Sequence, residues 1–235
     1  MWRLFGYAEP LFLMLILSYF VVLLLSTLFL KKDAKKSLST ILKTHGCRYC
    51  LIGIVFACVF QAIWFLFSLV IGGSLVGLPF PSLKGYENYA VYSVVSGFAL
   101  YLVFAVFGAF VEEVAFRGYV QSRIASRYGN IMCVFVSSLF FSLQHIHIFE
   151  LDWIWRFFQT QFIYVLCFGI FAGYLFVKSN EDLWSVFTFH ASMNIFNVSL
   201  PIDVTPAFSS ANQFTTLMSF IFMIVLLRLC SKLGS

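Results

Sequence analysis

Val111-Glu112-Glu113-Val114-Ala115-Phe116-Arg117-Gly118 sets two carboxylates and a guanidinium at the end of a long apolar run. Two later apolar runs carry polar groups in the same manner: Phe141-Ser142-Leu143-Gln144-His145 and His190-Ala191-Ser192-Met193-Asn194. The chain around them is not that of a soluble domain. Its 235 residues are 61% hydrophobic and only 11% charged, with a mean hydropathy of +0.94. About a quarter charged would be ordinary for a soluble fold. In a bilayer each buried charge costs roughly 2.5–3.5 kcal/mol even on insertion scales, so such residues mark function. Two acids, a guanidinium, two imidazoles and an amide make up the parts of a hydrolytic site.

Apolar stretches near 11–30, 51–72, 89–114, 130–148, 158–177, 183–200 and 213–229 predict an all-α, multi-pass membrane bundle of about seven helices around a polar cavity. Backbone groups in lipid must pair within their own segment, and each crossing needs about 20 residues. The length leaves room for a single transmembrane domain, 1–235. Punctuation falls between the stretches at Gly72-Gly73, Pro79-Phe80-Pro81, Gly129-Asn130, Asn180 and Pro201 to Pro206. The first run is long and is followed by Lys31-Lys32, a stop-transfer pattern, so it reads as a retained helix rather than a signal peptide. Gly169-x-x-x-Gly173 reads as a small-residue packing motif.

The net charge of +5 is unevenly placed. Lys31, Lys32, Lys35, Lys36, Lys43 and Arg48 fill the first connection, which suits anionic lipid at a cytoplasmic surface and not a nucleic-acid groove. With that connection inside, alternation places Arg117, Arg123, Arg127, Lys178, Arg228 and Lys232 inside as well. Only Arg3, Lys84 and Arg156 fall outside, so 12 of the 15 cations share one side. The positive-inside rule then puts the N-terminus outside and the C-terminus in the cytoplasm. Trp153-Ile154-Trp155 with Arg156 reads as an interfacial segment on the outer side, and His147 as an interfacial residue. Cys47-Arg48-Tyr49-Cys50, preceded by His45, has metal-type spacing without a second ligand pair. The six cysteines are expected to be thiols, no metal is assigned, and no cofactor is expected.

Geometry brings the three polar runs together. If the third helix continues to about Tyr128 and the fourth returns from Asn130, the two form an antiparallel hairpin. Its midpoint, near 128.5, is the mean of 112 and 145, so Glu112 and His145 sit level, about 24 Å from the turn. His190 lies about 10 Å into its helix from the cytoplasmic side, a depth compatible with Glu112. Glu113 and Arg117, Phe141 and His145, and His190 and Asn194 are each four residues apart and share a helix face. Glu112 points about 100° from Glu113, so Glu113 can neutralise Arg117 while Glu112 faces a cavity entered from inside.

These three motifs resemble those of the CAAX prenyl protease and bacteriocin-processing family of intramembrane proteases. Glu112-Glu113 with Arg117 matches its EExxxR signature, Phe141 with His145 its FxxxH, and His190 with Asn194 its HxxxN. The stretch from Gly169 to Trp184 is similar too, and the resemblance covers roughly 105–200. It implies a glutamate-dependent endopeptidase acting on a peptide or membrane-protein substrate, which in some members carries a lipid. Glu112 would be the general base with His145, together activating a water. His190 and Asn194 would stabilise the oxyanion, at about 3 kcal/mol per donor. Glu113 and Arg117 would hold the helix and tune the site. Phe141 would position its neighbours at the substrate-binding face.

Other readings of the same residues are open at this point. Glu112, His145 and His190 form a set that zinc accepts in hydrolases. A non-catalytic scaffold or immunity protein would keep the bundle without the reaction. A proton-coupled transporter would use the cluster as a relay, although inverted halves are absent. Ser142 and Ser192 have no base beside them and are expected to be packing or backbone-bonded hydroxyls. The peptidase reading, in a prokaryotic cell membrane with cytoplasmic access, gives a role to Glu112, Glu113, Arg117, His145, His190 and Asn194 together.

Overall fold

The computed structural model describes residues 8–33, 42, 46–70, 102–103, 105–146, 151–199 and 210–233. Helices and the turns joining them account for these residues, as the apolar composition requires. Helix α1 is Ala8–Asp33 and α2 is Gly46–Val70. The helical run Ala105–Leu143 is 39 residues long. It is not one rod. Ser137 Oγ donates to the Phe116 carbonyl at 3.2 Å across 21 residues, a separation of about 30 Å in a straight helix. The reversal is at Gly129 (φ 78, ψ 176), a conformation open to glycine almost alone. The two arms are α3 (105–128) and α4 (130–143). Then come α5 (Leu151–Thr160), α6 (Phe162–Lys178), α7 (Leu183–Ser199) and α8 (Ser210–Leu233).

Contacts fix the relative directions. Tyr19 meets Phe107 and Phe29 meets Tyr119, so α1 and α3 run parallel. Arg117 bonds Gly169 and Gln121 bonds Gly173, so α6 is parallel to α3. Tyr164 touches Phe220 and Tyr174 lies under Arg228, which adds α8 to the same set. The reverse set contains α4, α7 and α2. Glu113 pairs with His190 while Ala105 pairs with Asn194. Cys50 accepts from Thr188 while Gln61 meets Met193. Leaving α5 aside, successive helices alternate in direction, as the seven apolar stretches predict.

Helix α6 is the centre of the core. Phe168, Phe171, Ala172 and Leu175 are buried against Phe56 and Phe60 of α2, Phe189 and Met193 of α7, and Phe220 of α8. The outer faces remain apolar and exposed, for example Leu17, Phe20 and Leu24 of α1 and Ile131 of α4. Such a surface suits lipid. Gly53 brings α2 onto α7: a Cβ there would overlap Thr188 Oγ1 and Ser185 O and lie 2.8 Å from Phe189 N. The link between α6 and α7 turns through Asn180 (φ 57) and Glu181 (φ 63). Asp182 Oδ1 then accepts from Trp184 N at 2.8 Å and caps α7.

Three local expectations need correction or refinement. The fourth helix ends at Leu143 instead of 148, because His145 N and Ile146 N bond carbonyls three residues back and tighten the last turn. Trp153 to Arg156, read from the sequence as an interfacial segment, lie in a separate short helix, α5, that precedes the fifth apolar stretch. Val114–Gln121 is a π-helical turn, wider than the α-helix expected through Tyr128. Residues 89–101 of the third stretch, the Pro79–Pro81 break, His45 and His147 lie outside the described residues.

Candidate active site

The buried end of the site is built on Glu113. Its carboxylate is fully buried, with Oε1 2.7 Å from His190 Nδ1 and Oε2 3.2 Å from Arg117 Nε. The expected pairing of Glu113 with Arg117 is present, and the contact with His190 adds a second partner from α7. A carboxylate next to a cation accepts, so His190 Nδ1 carries the hydrogen, and Nε2 is the ring nitrogen that Glu113 does not occupy.

Arg117 is as buried as its partner. Its Nη2 donates to the Gly169 carbonyl at 3.2 Å, and its Cζ lies 4.5 Å from the centre of the Phe141 ring. One helical step on, Gln121 Nε2 donates to the Gly173 carbonyl at 2.9 Å. The two glycines of α6 therefore act as a docking strip for α3, a role beyond close packing. A side chain at Gly173 would strike Gln121 Oε1, and one at Gly169 would press on Ser138. The π turn carries both donors, and Ser122 Oγ takes up the Arg117 carbonyl at 3.3 Å. Wide turns of this kind recur at functional sites.

Phe141 floors the site. It is 1% exposed and stacks on Phe168, with the rings of Phe116, His145 and His190 also against it. Both imidazoles of the motifs therefore touch one ring. His145 lies in the turn after α4, with Nδ1 2.8 Å from the Phe141 carbonyl. A carbonyl only accepts, so Nδ1–H donates and caps the helix end, leaving Nε2 as the basic nitrogen. Asn194 gives one amide hydrogen to the Ala105 carbonyl at 3.2 Å, which ties α7 to the start of α3.

Glu112 occupies the other side of α3. It is half-buried and accepts from Gln144 Nε2 at 3.4 Å, next to His145. Gln144 and Gln121 went unnoticed in the sequence. The first is adjacent to a motif histidine and the second is four residues beyond Arg117, so helical spacing could have drawn attention to it. Ser142 Oγ bonds the Ser138 carbonyl at 2.8 Å, as a backbone-bonded hydroxyl. Among the described residues, no three His, Cys, Asp or Glu side chains converge closely enough to hold a metal ion. The zinc set weighed above, Glu112 with His145 and His190, is thus not gathered at ligand distance.

The structure defines a class: a helical bundle of membrane-protein composition, with a sealed carboxylate–guanidinium–imidazole core and a second glutamate beside it. Residues 94–196 match the model of the Rce1-like family, described as Type II CAAX prenyl endopeptidase Rce1-like. The match spans all three motifs, so this segment is similar to that family, in agreement with the motif resemblance. No curated protein matches the chain.

Proposed function

We propose that this protein is a multi-pass intramembrane peptidase in which Glu112 and His145 activate a water that attacks a peptide carbonyl. The observation that carries the reading is the division of labour between adjacent glutamates. Glu113 is committed to Arg117 and His190, whereas Glu112 is half-buried and accepts from the amide of Gln144, the residue before His145 in the chain. A general base must reach the proton that it takes, and a fully paired carboxylate cannot do so. The water gives a proton to Glu112, its oxygen adds to the carbonyl, and the proton passes to the leaving nitrogen. His145 Nε2, with Nδ1–H fixed by the Phe141 carbonyl, shares that transfer. His190 and Asn194 donate to the developing oxyanion. Glu113 fixes the His190 ring, and Arg117 holds Glu113. Phe141 sets the height of both imidazoles.

The basic residues support access from the cytoplasm. Lys31 at the end of α1, Arg48 at the start of α2, Arg123 and Arg127 at the hairpin tip, Lys178 and Arg228 all gather at one end of the antiparallel array. The substrate class is a peptide or membrane-protein segment presented at that face, with or without a lipid.

Comparative terminal proteomics of membrane and secreted peptides tests the reading. Cells with the wild-type chain should display peptide termini that are missing with Glu112→Gln, at equal protein levels. Identical terminus sets in the two strains would refute the peptidase.

A further inference from the structure

Helix α1 lies outside the family-matched segment, and most of its described residues face outward, Leu17, Phe20, Leu24 and Leu28 among them. Tyr19 is turned inward. Its ring meets Phe107 edge-on, with centroids 6.1 Å apart at 90°. The hydroxyl is directed at the bare backbone of Gly108: a Cβ built there would lie 3.1 Å from the Tyr19 oxygen and 3.3 Å from Cζ. Gly108 is one turn before Glu112 on the same face of α3. Residues one turn apart on a helix face are about 5–6 Å apart, which puts a hydroxyl seated at Gly108 within a side chain's reach of Glu112. From the opposite side, α4 offers the Gln144 amide to Glu112 Oε2. A ring that only packed on Phe107 would need no oxygen, and an oxygen carried into an apolar contact is costly unless it finds an acceptor.

We propose that Tyr19 is a positioning residue for Glu112, its hydroxyl donating from the Gly108 notch to the carboxylate so that one oxygen is held and the other is aimed at the reacting water. Gln144 completes the hold from α4. No bond to Tyr19 forms or breaks, and its proton stays on the phenol. The glycine is part of the device, because a side chain at 108 would occupy the place of the hydroxyl. Helix α1 thereby contributes to a site whose motifs all lie elsewhere. This inference rests on Glu112 being the base.

The test uses the full-length chain in detergent micelles and a quenched fluorescent peptide spanning a cleavage site found by the terminal proteomics. Tyr19→Phe keeps the ring on Phe107, so folding is preserved. It should lower kcat about tenfold, the factor expected for one lost hydrogen bond to a charged group, with KM within about twofold. The thermal unfolding midpoint should not move. Gly108→Ala should lower kcat similarly while retaining the hydroxyl, because the added methyl displaces it. A Tyr19→Phe kcat within about twofold of wild type overturns the proposal, as does a loss expressed wholly in KM. Should Glu112→Gln itself cleave at the wild-type rate, the underlying assignment of the base fails, whatever Tyr19 does.

Discussion

Arg117 shows what one residue contributes here. It neutralises Glu113, reaches the Gly169 carbonyl and covers Phe141, all out of contact with solvent. Removing one partner of a buried pair leaves the other charge uncompensated, which costs about 3–5 kcal/mol. Arg117→Ala should therefore lower the thermal unfolding midpoint of the detergent-solubilised protein sharply. Arg127→Ala, at the exposed tip of the hairpin, should change stability by no more than about 0.5 kcal/mol. Unfolding curves that coincide for the two variants would contradict the geometry. The Glu113–Arg117 pair was legible in the sequence because four residues bring two side chains onto one helix face. The Glu113–His190 contact was not. Depth in the bilayer can be estimated from the nearest charged boundary, but the angle at which α7 turns toward α3 depends on packing that spacing alone does not encode.

At the scale of elements, the α3–α4 hairpin was readable because the numbers agree twice. Gly129 interrupts the polar end, and Glu112 and His145 lie equally far from a midpoint, near 128.5, beside it. The early end of α4 was hidden, since Ile146 and Ile148 continue the apolar pattern past the point where the hydrogen bonds tighten and the His145 ring caps the Phe141 carbonyl. The π turn at Val114–Gln121 has no compositional signal that sets it apart from an α-helix. Two glycines separate packing from backbone conformation. At Gly53 a Cβ would overlap the backbone of α7, whereas at Gly129 nothing lies within 4 Å and only the positive φ matters. Gly53→Ala should push α2 off α7, destabilise the protein by about 1–3 kcal/mol and disturb the helix that bears His190 and Asn194. Equal stability and activity of Gly53→Ala and wild type would show that the two helices have room to spare.

Over the whole molecule, the alternation of helix directions places one glutamate in a sealed ionic core, its neighbour against Gln144 of α4, and two imidazoles on the Phe141 ring. Composition alone established the membrane class, and the order of apolar stretches established the alternation. The chemistry of the site depends on tertiary contacts, so the sequence supplied its members without their pairings. The most direct test of Glu112 as the base is turnover by purified protein, using a peptide substrate in heavy-oxygen water with products read by mass spectrometry. The account predicts one heavy oxygen in the new carboxyl terminus, no protein–peptide adduct, and loss of turnover in a Glu112→Gln variant that unfolds at the wild-type temperature. Turnover at the wild-type rate by that variant, or a trapped covalent adduct, would contradict it.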